Sequence, residues 1–142
     1  MFNGEYNHAM DEKGRVTMPG KFREGLGETF FITKGFDECL FVFAAQEWES
    51  FSHKLESNSL SKEHFRKLQR FFIASANDCV LDKQGRVLLS TPLREYAKIE
   101  KDMVIVGVSN RVEMWSKEKW DAYNNDGSDI TAIAEQLDDL NL

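Results

Sequence analysis

Apolar and polar residues recur along this chain with two periods, and the period switches every few residues. Tyr6, His8 and Met10 occupy alternate positions, the period of a strand. Residues 2–10 therefore predict the first arm of a hairpin. The loop Glu12-Lys13-Gly14 reverses the chain into a second arm, Arg15-Val16-Thr17-Met18, with Gly14 suited to positive φ. Pro19 ends that strand, and Gly20 to Leu26 predict one or two helical turns with Phe22 and Leu26 toward the core. Residues 29–33 and 39–43 are β-branched and aromatic runs, which predict a second hairpin turning near Gly35 to Glu38. In Gln46 to Leu55 the apolar stripe is helical, with Trp48, Phe51 and Leu55 on one face. Ser57-Asn58-Ser59 breaks the pattern, and Ser61 is placed to cap a helix from Lys62 to about Ala74 whose buried face is Phe65, Leu68 and Phe72. Its Lys62, Arg66, Lys67 and Arg70 make a basic face, read as a solvated surface linking the halves, with a nucleic-acid contact as the alternative.

The second half repeats this plan. Cys79-Val80-Leu81 leads into a loop and Arg86-Val87-Leu88-Leu89 leaves it. Pro92 and residues 93–97 predict a short helix; residues 103–108 and 112–115 predict a hairpin turning at Ser109-Asn110-Arg111. Ser116 is placed to cap a closing helix in which Trp120 and Tyr123 match Trp48 and Phe51. The repetition is literal in the loops: Asp11-Glu12-Lys13-Gly14-Arg15-Val16 recurs as Asp82-Lys83-Gln84-Gly85-Arg86-Val87, 71 residues later in a chain of 142. Arg23-Glu24 and Arg94-Glu95 share that spacing. The chain is thus an internal duplication, α+β in class. Each half alone buries a marginal core, so the halves are expected to pack on each other. The boundaries read as 1–57 for the first unit, 58–76 for a connecting helix, 77–123 for the second unit and 124–142 for a tail. That tail has Ile130, Ile133, Ala134, Leu137 and Leu140 at helical spacing. It either docks on the body or on a neighbouring subunit, or frays.

Composition is that of a globular protein, with 42% hydrophobic and 30% charged residues. No apolar run approaches a membrane span and no signal peptide is expected, so a cytoplasmic protein without a membrane partner is predicted. Net charge is −6, an awkward value for a nucleic-acid binder. The distribution changes the picture: residues 124–142 hold five acids and no Lys or Arg, leaving −1 for the rest, while residues 13–23 hold Lys13, Arg15, Lys21 and Arg23 and no acid. Cys39 and Cys79 lack metal or redox spacing and predict buried reduced thiols. His8, His53 and His64 fall in no ligand or catalytic pattern, and there is no Walker loop or G-x-S-x-G. No enzyme, cofactor, metal or small-molecule substrate is expected.

Chemistry concentrates in the D-x-x-G-R loops. An Arg at the end of a tight loop presents planar donors to a phosphate or to the O6 and N7 edge of guanine. In this reading Arg15 and Arg86 contact DNA while Asp11 and Asp82, with Gly14 and Gly85, organise the loops. A hairpin merely closed by an Asp-Arg salt bridge has the same spacing, and the repeat alone leaves the two readings open.

The motifs together resemble the MraZ family of bacterial transcription regulators, relatives of the AbrB-like swapped-hairpin DNA-binding proteins. The resemblance runs from about Phe2 to Trp120. It rests on Phe2-Asn3-Gly4-Glu5-Tyr6 with His8 and Asp11, Lys13-Gly14-Arg15, Pro19 with Lys21-Phe22-Arg23, Glu47-Trp48, Asp82 with Gln84-Gly85-Arg86, Leu93-Arg94, and Trp115 with Trp120. It implies two AbrB-like units per chain about a pseudo-two-fold axis, a ring-shaped homo-oligomer, and binding to direct repeats of double-stranded DNA in the promoter of the division and cell-wall gene cluster. A nucleoid-associated protein follows. The resemblance ties the pairs Asp11-Arg15 and Asp82-Arg86 to DNA binding, and Lys13, Lys21, Arg23 and Arg94 join them as candidate contacts. The alternative is a ring-forming interaction protein whose Asp-Arg loops hold subunits together. One departure stands out: Ser90 occupies the position equivalent to Pro19, so the second strand is expected to end less abruptly than the first.

Overall fold

Strands from the two halves interleave in one sheet. The computed structural model describes residues 1–56 and 62–141. In chain order the first half supplies β1 (Phe2–Ala9), β2 (Arg15–Thr17), α1 (Gly20–Leu26), β3 (Phe30–Lys34), β4 (Leu40–Ala44) and α2 (Ala45–Glu56). A connecting α3 (Glu63–Ile73) leads to β5 (Asn77–Cys79), β6 (Arg86–Leu88), α4 (Thr91–Ala97), β7 (Asp102–Ser109), β8 (Arg111–Ser116) and α5 (Lys117–Asn124), with α6 (Ile130–Gln136) in the tail. Six strands form an antiparallel sheet in the order β1-β7-β8-β4-β3-β5, and β2 pairs with β6 in a separate two-stranded ribbon. Exchanging the halves reproduces the same order from the opposite edge, which is the pseudo-two-fold symmetry the duplication implies.

The hairpins β3–β4 and β7–β8 pair as the sequence predicts, Phe30 facing Ala44 and Met103 facing Ser116. Their turns use positive φ at Asp37 (62°) and Glu38 (60°) in one and at Ser109 (64°) in the other. The first predicted hairpin is corrected. The chain reverses at Gly14, yet β1 pairs with β7 along its whole length, Phe2 facing Ser109 and Ala9 facing Asp102. β2 pairs with β6, and β5 pairs with β3. Alternation fixes which face of a strand is apolar and carries no information about which strand lies beside it. This exchange between halves agrees with the swapped-hairpin architecture that the resemblance implies.

Because side chains alternate across a strand, the sheet is buried on both faces. Met103 and Ile105 of β7, Leu40 and Val42 of β4 and Phe30 and Ile32 of β3 join one core with Val16, Phe22, Val87 and Leu93, from the ribbon, α1 and α4. On the opposite face Val104, Val106, Phe41, Phe43 and Trp115 join a second core with Leu55 and Phe72. Aromatic contacts hold α2 there, Trp48 stacking on Phe31 at 5.3 Å and Phe51 on Phe43 at 4.9 Å. Ser116 caps α5 by accepting a hydrogen bond from the Lys119 amide at 3.2 Å, as expected, and Trp120 packs edge-on against Trp115.

Two further expectations change, and the alternatives for the tail narrow. The predicted buried stripe of α3 reduces to Phe72: Phe65 is half-buried and Leu68 is 39% exposed. The helix is instead fixed by its C-terminal end, where the buried Thr33 hydroxyl donates to the Phe72 carbonyl at 2.6 Å and Gln69 donates to the Leu55 carbonyl at 2.8 Å. Ser57-Asn58-Ser59 and Ser61 lie outside the described residues. Of the two thiols only Cys39 is buried, Cys79 being half-buried in the edge strand β5. Both are free, and burial pushes the Cys79 thiol up to about 11 and the Cys39 thiol further still. In the tail, Asp129 caps α6 through the Thr131 amide, but Ile130, Ile133 and Leu137 remain 75%, 42% and 51% exposed, so this stripe does not dock on its own body. Among the described residues, no helix is long and apolar enough to cross a membrane, and no group of His, Cys, Asp and Glu is arranged to hold a metal ion.

Candidate nucleic-acid interface

Each D-x-x-G-R loop is closed by the same set of bonds. The Asp11 amide donates to the Arg15 carbonyl at 2.8 Å and the Gly14 amide to the Asp11 carbonyl at 3.0 Å; Asp82 and Gly85 repeat this at 2.9 and 3.0 Å. Asp11 Oδ1 accepts from the amides of Lys13 and Arg15, and Oδ2 accepts from Arg15 Nε at 2.8 Å. Asp82 Oδ1 accepts from the amides of Gln84 and Arg86, and Oδ2 from Arg86 Nε at 2.9 Å. The backbone donor of the following arginine, first among several such bonds, holds each aspartate below its ordinary range. Both carboxylates are therefore charged at neutral pH. Each engages the guanidinium of its arginine through Nε alone, which leaves the two terminal amino groups for an outside acceptor.

Gly14 and Gly85 carry the backbone through φ of 85° and 77°, where a side chain is strained. What covers them comes from the other half. A Cβ on Gly14 would stand 3.1 Å from Arg94 Cζ, and a Cβ on Gly85 would fall inside the Arg23 guanidinium. Arg23 is anchored by Nε to the Met18 carbonyl at 2.9 Å, and Arg94 by a terminal nitrogen to the Thr91 hydroxyl at 2.9 Å. The backbone bonds cross in the same sense: the Met18 amide donates to the Gly85 carbonyl and the Leu89 amide to the Gly14 carbonyl, both at 2.9 Å. Each loop is thus braced by the strand and helix of its counterpart.

The ribbon register decides where the arginines stand. Arg15 faces Leu88, Val16 faces Val87 and Thr17 faces Arg86. With period-two alternation, Val16 and Val87 point into the core at 1% and 3% exposure. Arg15, Thr17, Arg86 and Leu88 consequently share the outer face. The two arginines are diagonal neighbours on that face, their backbone positions about 7–8 Å apart. Both are part-exposed, at 32% and 27% of the side chain.

The expected difference at Ser90 does not reach the backbone. β2 and β6 are three residues each, and Pro19 and Ser90 both precede their helices in extended conformation, at φ −51°, ψ 133° and φ −65°, ψ 154°. An extended residue before a helix needs no pyrrolidine ring, so serine serves the same turn. Of the remaining candidates, Lys13 is exposed in its loop and Lys21 is exposed with its ammonium near Gly4 of β1. Three residues at or beside this face are absent from the sequence-based set: Lys83, exposed in the second loop, and Thr17 and Leu88 on the ribbon. The 71-residue offset that aligns Lys83 with Glu12 and Leu88 with Thr17 carries the signal that would find them.

A family model described as "MraZ protein, putative antitoxin-like" matches the chain twice, over residues 1–71 and 72–141. The chain belongs to the MraZ family. The double match falls on the two copies of the loop. MraZ relatives of full length accompany it, each named "Transcriptional regulator MraZ". The protein of Thermoanaerobacter sp. (strain X514) is 53% identical over 143 residues, covering 100% of both chains. That of Caldanaerobacter subterraneus subsp. tengcongensis is 51% identical over 144 residues, and that of Clostridium acetobutylicum 49% over 142 residues, again with 100% of both chains covered. These names are those of regulators and not of enzymes.

Proposed function

We propose that this protein is a sequence-specific, DNA-binding transcriptional regulator that presents the outer face of the β2–β6 ribbon to duplex DNA. The observation that carries the reading is the common orientation of Arg15 and Arg86: two arginines from sequence-distant loops, each aimed by its own aspartate, stand on one face of a ribbon of the width a major groove admits. A salt bridge serving only to close each loop needs no such alignment. Lys13 and Lys83 add charge at the loop tips, Lys21 beyond them, and Arg23 and Arg94 brace the loops from behind. The target on this reading is a set of direct repeats in the promoter of the division and cell-wall gene cluster. A ring of identical subunits would place one such face on each repeat, and linked contacts then raise avidity without new contacts in any subunit. This also accommodates the net charge of −6, since the acids of residues 124–142 lie outside the ribbon.

Titration of the wild type and of Arg15→Ala, Arg86→Ala and the double variant on the protein's own upstream region, against scrambled duplex, tests this. Each single loss is expected to weaken specific binding by about 1–3 kcal/mol if the arginine reads a base edge. If it holds a phosphate, the loss lowers the slope of log K against log salt by about 1 instead. The competing reading, in which the Asp-Arg loops hold subunits together, expects the assembly itself to break in these variants. Unchanged affinity and salt slope in an intact double variant would remove the arginines from the interface.

A further inference from the structure

The outer face of the ribbon is symmetric in its arginines and asymmetric in what stands opposite them. Arg86 faces Thr17 across the ribbon, and Arg15 faces Leu88. Thr17 and Leu88 are 71 residues apart and hold equivalent places in the two copies. The loops that precede them match bond for bond. On the ribbon strands themselves the difference is therefore one of side-chain chemistry on a duplicated backbone.

Leu88 is 61% exposed, between Val87 and Leu89 at 3% and 0%, and belongs to neither core. A buried partner in the chain does not explain it. Thr17 is half-buried, and no hydrogen bond among the described residues engages its hydroxyl. Leucine offers an external surface van der Waals contact alone, whereas threonine offers a donor, an acceptor and a methyl. In the major groove the apolar projection of a base pair is the C5-methyl of thymine, while hydroxyls pair with base-edge or phosphate acceptors and donors.

We propose that Leu88 is a specificity-determining residue: it packs on the C5-methyl of a thymine adjacent to the base pair under Arg15, while Thr17 hydrogen-bonds beside Arg86, so that one pseudo-symmetric face reads a sequence with a direction. This rests on the DNA-binding reading above. The two arms then recognise arginine-plus-methyl on one side and arginine-plus-polar group on the other, and a palindrome cannot satisfy both. Leu88→Thr makes the outward positions of the two ribbon strands alike, Arg15 and Thr17 on one and Arg86 and a threonine on the other.

The test uses the full chain and duplexes selected from a random-sequence pool by the wild type and by Leu88→Ala and Leu88→Thr. The wild type is expected to select an oriented site containing a fixed thymine. Replacing that thymine by deoxyuridine, which removes the methyl and keeps the pairing, should weaken wild-type binding about fourfold, the scale of one buried methyl. The same replacement should leave Leu88→Ala binding unchanged, and Leu88→Thr should select a more symmetric site. The proposal is overturned if deoxyuridine is neutral at every thymine of the site, or if Leu88→Ala retains the wild-type preference. It is also overturned if Leu88→Ala changes the oligomeric mass by light scattering, which would make the leucine a subunit contact. A wild type that selects no sequence at all removes the DNA-binding reading and this inference with it. A wild type that selects a site sensitive to Arg15→Ala but indifferent to Leu88→Ala removes this inference alone.

Discussion

At Gly85 two demands meet: a backbone held at φ 77° and a neighbouring guanidinium occupying the space a side chain would need. Gly85→Ala is expected to cost about 1–2 kcal/mol of stability, from the positive φ and from displacement of Arg23 off the Met18 carbonyl. Arg23 ends in a flexible side chain, so Gly85→Ala combined with Arg23→Ala should cost less than the sum of the two single changes, measured by urea denaturation in a double-mutant cycle. Strict additivity would show that the guanidinium does not rest on the loop. The aspartates give a second test at this scale. Their pKa values in the folded chain lie below the ordinary range, so their contribution is complete above the unfolded value and is lost as pH falls through the depressed folded value. Comparing urea midpoints from about pH 7 down to about pH 2, the wild type should lose this contribution on acidification. The Asp11→Asn, Asp82→Asn double variant should already lack it at neutral pH, and the two proteins should converge in acid.

Among the elements, α3 shows how a periodic pattern misplaces a helix face. Phe65, Leu68 and Phe72 form a proper stripe by sequence, but only the last turn meets the sheet. There Thr33 bonds the Phe72 carbonyl, and Phe72 packs edge-on against Phe51 at 4.9 Å. Phe72→Ala is therefore expected to cost about 3–5 kcal/mol, and Leu68→Ala less than about 0.5 kcal/mol. Thermal unfolding of the two variants separates them, and similar losses would restore the stripe read from sequence. The loop-strand-helix unit is the opposite case. The short strands, the glycine with positive φ, the start of α1 and α4 and the burial of Phe22 and Leu26 were all readable, because turn chemistry and helix starts are set by residues close in sequence. Ser90 could be overvalued for the same reason. A substituted proline is visible in sequence, and the extended conformation that serine shares with it is not.

For the molecule as a whole, the exchange of strands ties the halves together. β1 finds its hydrogen-bond partner in β7, and β5 in β3, so neither half completes its sheet alone. Residues 1–71 and 72–142 expressed as separate chains are each expected to lack a cooperative unfolding transition at low concentration, and to regain one when mixed, as followed by circular dichroism. A cooperative monomeric transition in either piece would contradict the exchange as the source of the fold's integrity. The sequence by itself determined the duplication, the hairpins β3–β4 and β7–β8, the tight loops with their aspartates, and the type and rough extent of nearly every element. Those features follow from local periodicity, turn residues and a repeat that can be counted. Only the tertiary structure decided which strands pair across the halves, that Arg23 and Arg94 cover the loops of the opposite copy, and that Arg15, Arg86, Thr17 and Leu88 share one face. Alternation states which side of a strand is apolar; the register of a partner 71 residues away is fixed by burying Val16 against Val87, a contact no local pattern contains.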